Sequence, residues 1–224
     1  VPPCLVAFDS DLAEALDWLR GRIDAGDAAV ADLDAVNLSL GGGLYASACD
    51  SQSPTVTAAI AELRSRGVAT VVASGNNGSR GAMASPACIS SAVSVGATTG
   101  TGLVAAYANI DADTSVLAPG TSITSSVPVD TYGTMSGTSM AAPVVTGAMA
   151  LLRERSPGAT VTDLVTRLRG TGDLFTTSSF TVPQVRVDLA VGAGPDRPTA
   201  VTLVPGPGQL AVSWSGPSSL GGPV

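Results

Sequence analysis

Apolar residues recur at helical spacing in some stretches of the chain and form short unbroken runs in others. In the first helical stretch they lie three and four residues apart along one face: Leu12, Ala15, Leu16, Leu19 and Ile23. This spacing places an apolar stripe along one side of a helix, so it predicts an amphipathic helix that ends near Gly26. Asp9 and Ser10 precede the stripe, and either side chain is a suitable N-cap.

Two more helices have recognisable starts. Ser53 and Pro54 open the second, because proline is tolerated in the first helical position, and Gly67 ends it. Its inner face consists of three apolar residues: Val56, Ile60 and Leu63. Thr160 and Asp163 have the spacing of a capping box, in which each residue satisfies a free N–H group of the other. They predict a helix that runs to Gly170.

The unbroken apolar runs predict short buried strands at 34–40, 68–73, 92–97, 116–118, 123–127 and 185–187. Gly41–Gly43 follows the first run, and we expect these glycines to end the strand and leave backbone N–H and C=O groups free. Strands that alternate with helices of 10–15 residues favour right-handed parallel crossovers. The pattern therefore predicts an α/β domain with a mostly parallel sheet and helices on both faces.

The composition changes at residues 192–199, where GAGPDRPT has the character of a linker. We therefore expect one domain over residues 1–191 and a separate segment over 200–224. Two runs with alternating apolar residues follow the linker, around a Pro-Gly turn. They resemble the opening of a fibronectin type III domain, with Trp214 as the core tryptophan of its second strand, and two strands of such a sandwich are marginally stable alone.

The overall composition is that of an ordered, acidic protein. Of its 224 residues, 45% are hydrophobic and 13% are charged, and the formal net charge is −7. This balance argues against nucleic acid or an anionic membrane surface as a partner. No apolar run reaches the roughly 18 residues that a membrane helix needs, and no Cys/His pattern for a metal or glycine-rich pattern for a nucleotide is present.

The segment from Gly133 to Leu152 is the most informative for chemistry. Small and hydroxyl-bearing residues precede an apolar stretch that predicts a buried helix, and Ser139 lies at the junction. A helix N-terminus favours negative charge, so a nucleophilic hydroxyl is well placed there. The alternative is that Thr138 or Ser139 only caps the helix.

The string GTSMAAPVVTGAMALL at residues 137–152 resembles the nucleophile segment of the subtilisin-like serine peptidases, the subtilases. The resemblance implies a three-layer subtilisin-like fold and a serine endopeptidase in which Ser139 attacks the peptide carbonyl. Pro143 and Gly147 also stand where the family usually has proline and glycine. A lipase-like elbow is disfavoured, because Ala141 replaces the last glycine of Gly-x-Ser-x-Gly.

Two other segments resemble parts of the subtilase cleft. ASGNNGS at residues 73–79 looks like the oxyanion segment, which implies that the Asn76 amide and the backbone N–H of Ser139 stabilise the oxyanion. The alternative is an ordinary Asn-Gly turn. Ser39, Leu40 and Gly41 look like the segment that binds an extended peptide as an added strand, the alternative being a strand that enters a flexible loop.

Ser74 and Gly75 are then expected to form the opposite wall of the pocket for the residue before the cut. Because these residues are small, we expect a roomy pocket and a broad preference for large apolar side chains. Four aspartates, at positions 9, 11, 32 and 34, are interpreted as caps and solvated loop residues. Calcium is implied by the family resemblance only, since no run has convincing ligand spacing.

The chain contains three cysteines, Cys4, Cys49 and Cys88. Cys49 and Cys88 lie in loops that flank the expected cleft, so we hypothesise that they pair. Cys4 would then have its partner elsewhere, and three buried free thiols are the alternative. We expect a secreted or extracellular protein, in which an odd number of cysteines suggests one disulfide and one further cysteine whose partner lies elsewhere.

The chain departs from the family in one decisive respect. It contains no histidine and no Asp-Thr-Gly or His-Gly-Thr segment, so the catalytic Asp and His of the family have no counterpart. One interpretation is a fragment of a longer protease, incomplete at its N-terminal side, inactive alone and completed by the missing N-terminal part. The other is a non-catalytic pseudo-protease or peptide-binding module. No signal peptide is recognisable at the start of the sequence.

Overall fold

The computed structural model describes residues 7–192 and two strands at 199–206 and 209–215. The predictions for Cys4, for the linker and for the Trp214 side chain lie outside the described residues and side chains. The helices are α1 (Asp9–Asp24), α2 (Pro54–Ser65), α3 (Thr138–Arg155), α4 (Val161–Thr171) and α5 (Val187–Val191). The strands are β1 (Ala35–Leu38), β2 (Gly42–Tyr45), β3 (Ala69–Ala73), β4 (Met83–Ser85), β5 (Val93–Thr98), β6 (Val116–Pro119), β7 (Ile123–Val127), β8 (Thr131–Met135), β9 (Asp173–Thr176), β10 (Thr181–Gln184), β11 (Thr199–Gly206) and β12 (Gln209–Ser215).

The central sheet has six strands in the order β1-β3-β5-β6-β10-β9. Five strands, β1, β3, β5, β6 and β10, run parallel to one another. The sixth, β9, lies at one edge and pairs antiparallel with β10. The prediction of a mostly parallel sheet is confirmed. Because parallel strands end at the same edge of a sheet, the loops that follow β1, β3 and β5 lie close together.

The helices cover both faces of this sheet, as predicted. Val71 of β3 belongs to a core that includes α3 and α4, whereas its neighbour Val72 belongs to the core beneath α1 and α2. Both side chains are fully buried because successive residues of a strand point to opposite faces. A sheet covered on both sides explains why its strands are continuous apolar runs rather than alternating ones.

Three local predictions were wrong. Neither Asp9 nor Ser10 is the N-cap of α1: both lie in its first turn after Phe8, and the Asp9 carboxylate accepts a hydrogen bond from the Ser53 hydroxyl instead. Strand β1 ends before the glycines at 41–43, as expected, but the backbone groups of these glycines are not all free, because Gly42 begins β2, which pairs with the distant β4. That pairing satisfies backbone groups that the sequence alone left free.

The third wrong prediction is the strand at 185–187. The strand is β10, which ends at Gln184 and pairs with β9, and residues from Val187 form α5. Strand β9 was not predicted, because its residues are mostly exposed and form no apolar run. Val187 is partly buried at the start of α5, where it packs against the core that includes α3 and α4.

Strands β11 and β12 pair antiparallel, and they correspond to the two runs with alternating apolar residues that follow the linker. A second hairpin, β7–β8, leads directly into α3. Only β7 of this pair was predicted, because the residues of β8 are mostly exposed and show no apolar run. The assignment of residues 200–224 to a fibronectin type III domain stays a prediction.

Candidate active site

Three segments that the chain separates widely meet around one cavity of about 390 Å³. They are the residues after β1, the residues after β3 and the start of α3. The cavity is lined by Ser39, Leu40, Gly41, Gly42, Gly43, Ala73, Gly75, Asn76, Asn77, Ala84, Thr138 and Ser139. All five residues predicted from the sequence for the nucleophile, the oxyanion donor and the peptide-binding edge are therefore brought together.

Thr138 connects the segment after β3 to the start of α3. Its backbone N–H donates to Oδ1 of Asn76 at 2.9 Å, and its hydroxyl donates to the same oxygen at 3.0 Å. The Thr138 hydroxyl also accepts the backbone N–H of Gly75 at 3.2 Å. Thr138 is fully buried, so these bonds are shielded from water and hold Asn76 firmly against the helix N-terminus.

This anchoring determines which end of the Asn76 amide is available to a ligand. Because Oδ1 accepts two hydrogen bonds from Thr138, the opposite atom of the amide is the NH₂ donor, Nδ2. Within residues 7–192, no acceptor lies within hydrogen-bond distance of Nδ2. A fixed donor at the wall of a cavity can stabilise negative charge on a bound oxygen.

Ser139 is the second residue of α3 and is half-buried. Its hydroxyl donates to the carbonyl oxygen of Ser39 at 3.3 Å. Its backbone N–H has no acceptor among the described residues and lies in the first turn, where N–H groups have no partner inside the helix. The hydroxyl and a free amide donor therefore occur on the same residue, at the positive end of the helix dipole.

Pro143 explains an unusual contact on the other side of Ser139. A residue four positions later normally donates its N–H to the Ser139 carbonyl, but proline has none. The free carbonyl accepts the Ser39 hydroxyl at 2.7 Å instead, and Asn37 donates to that hydroxyl at 2.9 Å. The end of β1 is thereby joined to the first turn of α3, which fixes the predicted peptide-binding edge beside the predicted nucleophile.

Of the two residues expected to form the opposite wall of the pocket, Gly75 lines the cavity and Ser74 does not. Gly75 lines it with a φ of +104°, a conformation that side-chain-bearing residues rarely adopt. Ser74 is fully buried, and its hydroxyl donates to the backbone carbonyl of Asn109 at 2.6 Å. Its side chain therefore faces away from the cavity, which its expected role as a pocket wall did not anticipate.

Cys49 and Cys88 are joined by a disulfide. The bond links the loop after β2 to the segment after β4, and the Cys49 N–H also donates to the Cys88 carbonyl at 3.0 Å. Strands β2 and β4 pair beside the cavity, so the disulfide braces the wall to which Gly42 belongs.

The cavity has no charged lining. None of its lining side chains titrates, and within the described ranges no cluster of three His, Cys, Asp or Glu residues is placed to hold a metal ion. Of the four aspartates, Asp9 and Asp11 lie in the first turn of α1. Asp34 forms an ion pair with Arg153 at 3.4 Å, and burial nevertheless raises the pKa of its carboxyl.

An α/β domain with a mostly parallel sheet and a helical layer on each face is subtilisin-like in fold, and in it Ser139 and Asn76 line one cavity. The chain belongs to the subtilase family, whose model matches residues 9–194. It is 38% identical over 158 residues to an extracellular protease of Xanthomonas campestris pv. campestris, covering 67% of this chain and 26% of that protein. It is 35% identical over 148 residues to subtilisin Savinase of Lederbergia lenta, covering 66% of this chain and 49% of that protein.

Solved structures show the same likeness. A protease from Pseudoalteromonas arctica superposes with a TM-score of 0.67 at 30% identity, covering 83% of this chain and 58% of that one. The chain thus spans half or less of the two curated relatives. No described helix is both long and apolar enough to cross a bilayer.

Sequence reasoning missed two residues that organise the site. Thr138 was weighed only as a helix cap, although its place between Gly137 and Ser139 could have signalled an anchor for a neighbouring loop. Asn109 was not considered at all. It lies in an irregular segment between β5 and β6, and no pattern in that segment marks it.

Proposed function

We propose that this chain supplies the nucleophile, the oxyanion hole and the peptide-binding edge of a secreted serine endopeptidase. The observation that carries the proposal is the shared cavity of Ser139 and Asn76, with Oδ1 of Asn76 held by Thr138 so that Nδ2 is free. The name of the Xanthomonas relative, an extracellular protease, supports both the activity and the location.

In the proposed reaction, the Ser139 hydroxyl attacks the carbonyl carbon of a peptide bond and forms a tetrahedral intermediate. The oxygen of that carbonyl becomes negative and accepts hydrogen bonds from Nδ2 of Asn76 and the backbone N–H of Ser139. A general base removes the proton of the Ser139 hydroxyl during the attack and gives it to the departing nitrogen. Collapse of the intermediate then releases the amine and leaves an acyl-enzyme, which water hydrolyses. The donors are fixed before the substrate arrives, so little reorganisation is needed when the charge develops.

The substrate lies as an extended strand beside Ser39, Leu40 and Gly41. These residues line the cavity directly after β1, and Leu40 is 39% exposed, which makes it available to an apolar side chain. Ala73 and Ala84 add small apolar surfaces to the wall. We therefore propose a preference for large apolar residues before the cut; a substrate profile that requires Arg or Lys there contradicts this part.

The general base comes from a segment of the same protein outside these residues. The sequence contains no histidine, and the present acceptor of the Ser139 hydroxyl, the Ser39 carbonyl, is far too weak a base to take its proton. Strand β1 is an edge of the central sheet in the described residues and lies next to α3. It offers a site where such a segment can add as a strand, and we expect the chain alone to be nearly inactive.

The test compares the chain alone with the longest open reading frame that contains it. The upstream coding sequence is read for in-frame Asp-Thr-Gly and His-Gly-Thr segments, and both proteins are treated with a fluorophosphonate probe and a chromogenic peptide. We expect the longer protein to label and turn over, and the chain alone to label slowly. Ser139→Ala must abolish labelling, whereas the neighbouring Ser136→Ala, as the matched control, must retain it.

The alternative, a non-catalytic peptide-binding module, makes the opposite prediction. The upstream reading frame then lacks both segments, and neither protein turns over peptide although the chain binds it. Rapid labelling of Ser139 in the chain alone contradicts a different part of the proposal, the external general base, because it requires a base within residues 1–224.

A further inference from the structure

The loop that carries Asn76 is held on its outer side by one buried residue, Asn109. This residue lies between β5 and β6 and is completely buried, although its side chain is polar. A buried amide is costly unless each of its donors and acceptors is satisfied. The structure satisfies all of them with the segment that follows β3.

Both ends of the Asn109 amide contact that segment. Its Oδ1 accepts the backbone N–H groups of Asn77 and Ser79 at 2.9 and 3.0 Å. Its Nδ2 donates to the backbone carbonyl of Ser74 at 3.2 Å and to Oδ1 of Asn77 at 3.1 Å. One side chain thus holds the loop at three points on either side of Asn76.

The backbone of Asn109 adds two more bonds to the same loop. Its N–H donates to the Gly75 carbonyl at 2.9 Å, and its carbonyl accepts the Ser74 hydroxyl at 2.6 Å. The buried Ser74 side chain, which was expected to line the cavity, therefore has a different role: it locks the loop to Asn109.

We propose that Asn109 is a positioning residue, which holds the loop of residues 74–79 so that the amide of Asn76 meets the oxyanion. The proposal rests on the function proposed above. Asn76 is fixed from two sides, by Thr138 at Oδ1 and through the loop backbone by Asn109. Asn109 is not among the residues that line the cavity, so it acts through the loop that carries Asn76.

The reason for an asparagine at this position is that the loop needs both an acceptor and a donor. Its amide oxygen serves two N–H groups, and its NH₂ serves two oxygens. Aspartate keeps the acceptor but replaces the donor with an oxygen that faces the Ser74 carbonyl and Asn77 Oδ1. Alanine removes both, so the two variants separate the two halves of the contact.

The first measurement needs no catalytic activity. Amide hydrogen exchange on the chain itself should show that Asn109→Ala speeds exchange at Asn77 and Ser79 at least about tenfold, because both lose their acceptor. Ser94→Ala is the matched control: Ser94 is a buried hydroxyl that bonds Ser115 and not the loop. It should leave exchange at Asn77 and Ser79 unchanged.

The second measurement uses the active, longer protein. Because a misplacement of about 1 Å can cost about 100-fold in rate, we expect Asn109→Ala and Asn109→Asp to lower kcat by about 10–100-fold with little change in KM. Ser94→Ala should leave kcat within about twofold. In an Asn76→Ala background, Asn109→Ala should have almost no further effect on kcat, since the donor it positions is already gone.

Two results overturn the proposal. One is unchanged exchange at Asn77 and Ser79 in Asn109→Ala. The other is a loss of kcat in Asn109→Ala that adds fully to the loss in Asn76→Ala, or that Ser94→Ala reproduces. Either outcome shows a general loss of stability rather than a loss of positioning. An inactive wild-type protein refutes the proposed function instead, and the exchange experiment still tests whether Asn109 holds the loop.

Discussion

The substitution Gly75→Ala tests whether the backbone after β3 can tolerate any side chain. Gly75 has a φ of +104°, and a Cβ built on it lies 2.4 Å from Nδ2 of Asn109 and 3.0 Å from Cβ of Ala84. The first neighbour is a buried amide that already donates two hydrogen bonds, so it cannot move freely. The added methyl group must displace either Asn109 or the loop.

The size of the effect follows from two contributions. A non-glycine residue in such a backbone region costs about 1–3 kcal/mol. Forcing an extra methyl group into a packed site costs about 1–3 kcal/mol more. We therefore expect Gly75→Ala to lower the free energy of unfolding by roughly 2–6 kcal/mol, a large part of the roughly 5–15 kcal/mol typical of a domain.

Urea denaturation followed by circular dichroism measures this change. With an m-value of about 2 kcal/mol/M, a loss of 3 kcal/mol lowers the midpoint by about 1.5 M. Gly21→Ala is the control, because Gly21 lies within α1 with nothing within 4 Å of an added Cβ. It should raise the stability by about 0.5–1 kcal/mol, since alanine is the better helix former.

The opposite signs of these two glycine substitutions are the core of the prediction. If Gly75→Ala is neutral or stabilising, the loop of residues 74–79 is free to adjust and is not held rigidly by Asn109. If both variants lose stability equally, the destabilisation does not come from the site. In the active protein, Gly75→Ala should also lower kcat, because the loop that moves carries Asn76.

Three further predictions concern the donor, the disulfide and a helix cap. Asn76→Ala should lower kcat of the active protein by about 10²–10³-fold with KM nearly unchanged, as removal of such a donor does in subtilisin; steady-state kinetics that show mainly a KM effect contradict the role. Replacing Cys49 and Cys88 by alanine opens a link between residues 39 apart, which chain entropy predicts to cost about 4 kcal/mol by thermal or urea unfolding. Thr160→Ala should cost about 1 kcal/mol. Hydrogen bonds from the Thr160 side chain and backbone hold the pKa of Asp163 below its ordinary value, so their stabilisation is complete above the unfolded pKa and is lost as pH falls through the lower folded pKa. NMR titration should show the pKa of Asp163 rising in the variant, and no rise refutes the contact.

Hydrophobic spacing in the sequence was sufficient for the main elements of the fold. The apolar runs that became β3 and β5 are buried on both faces, and a sheet with such strands needs helices above and below it. The resemblance of the segments around Asn76 and Ser139 to subtilases predicted the central residues of the site, and both residues line the same cavity. Local chemistry also placed the capping box of Thr160, because its partner is three residues away.

Tertiary structure decided whatever depends on a partner that is distant along the chain. Gly42 begins a strand only because β4 pairs with it, and Asp9 leaves its cap position because Ser53 offers a hydrogen bond. Ser74 turns away from the cavity because Asn109 accepts its hydroxyl. Each contact joins residues more than thirty positions apart. Many distant groups could serve as the partner of a given donor or acceptor, and only the folded chain decides which of them comes within hydrogen-bond distance.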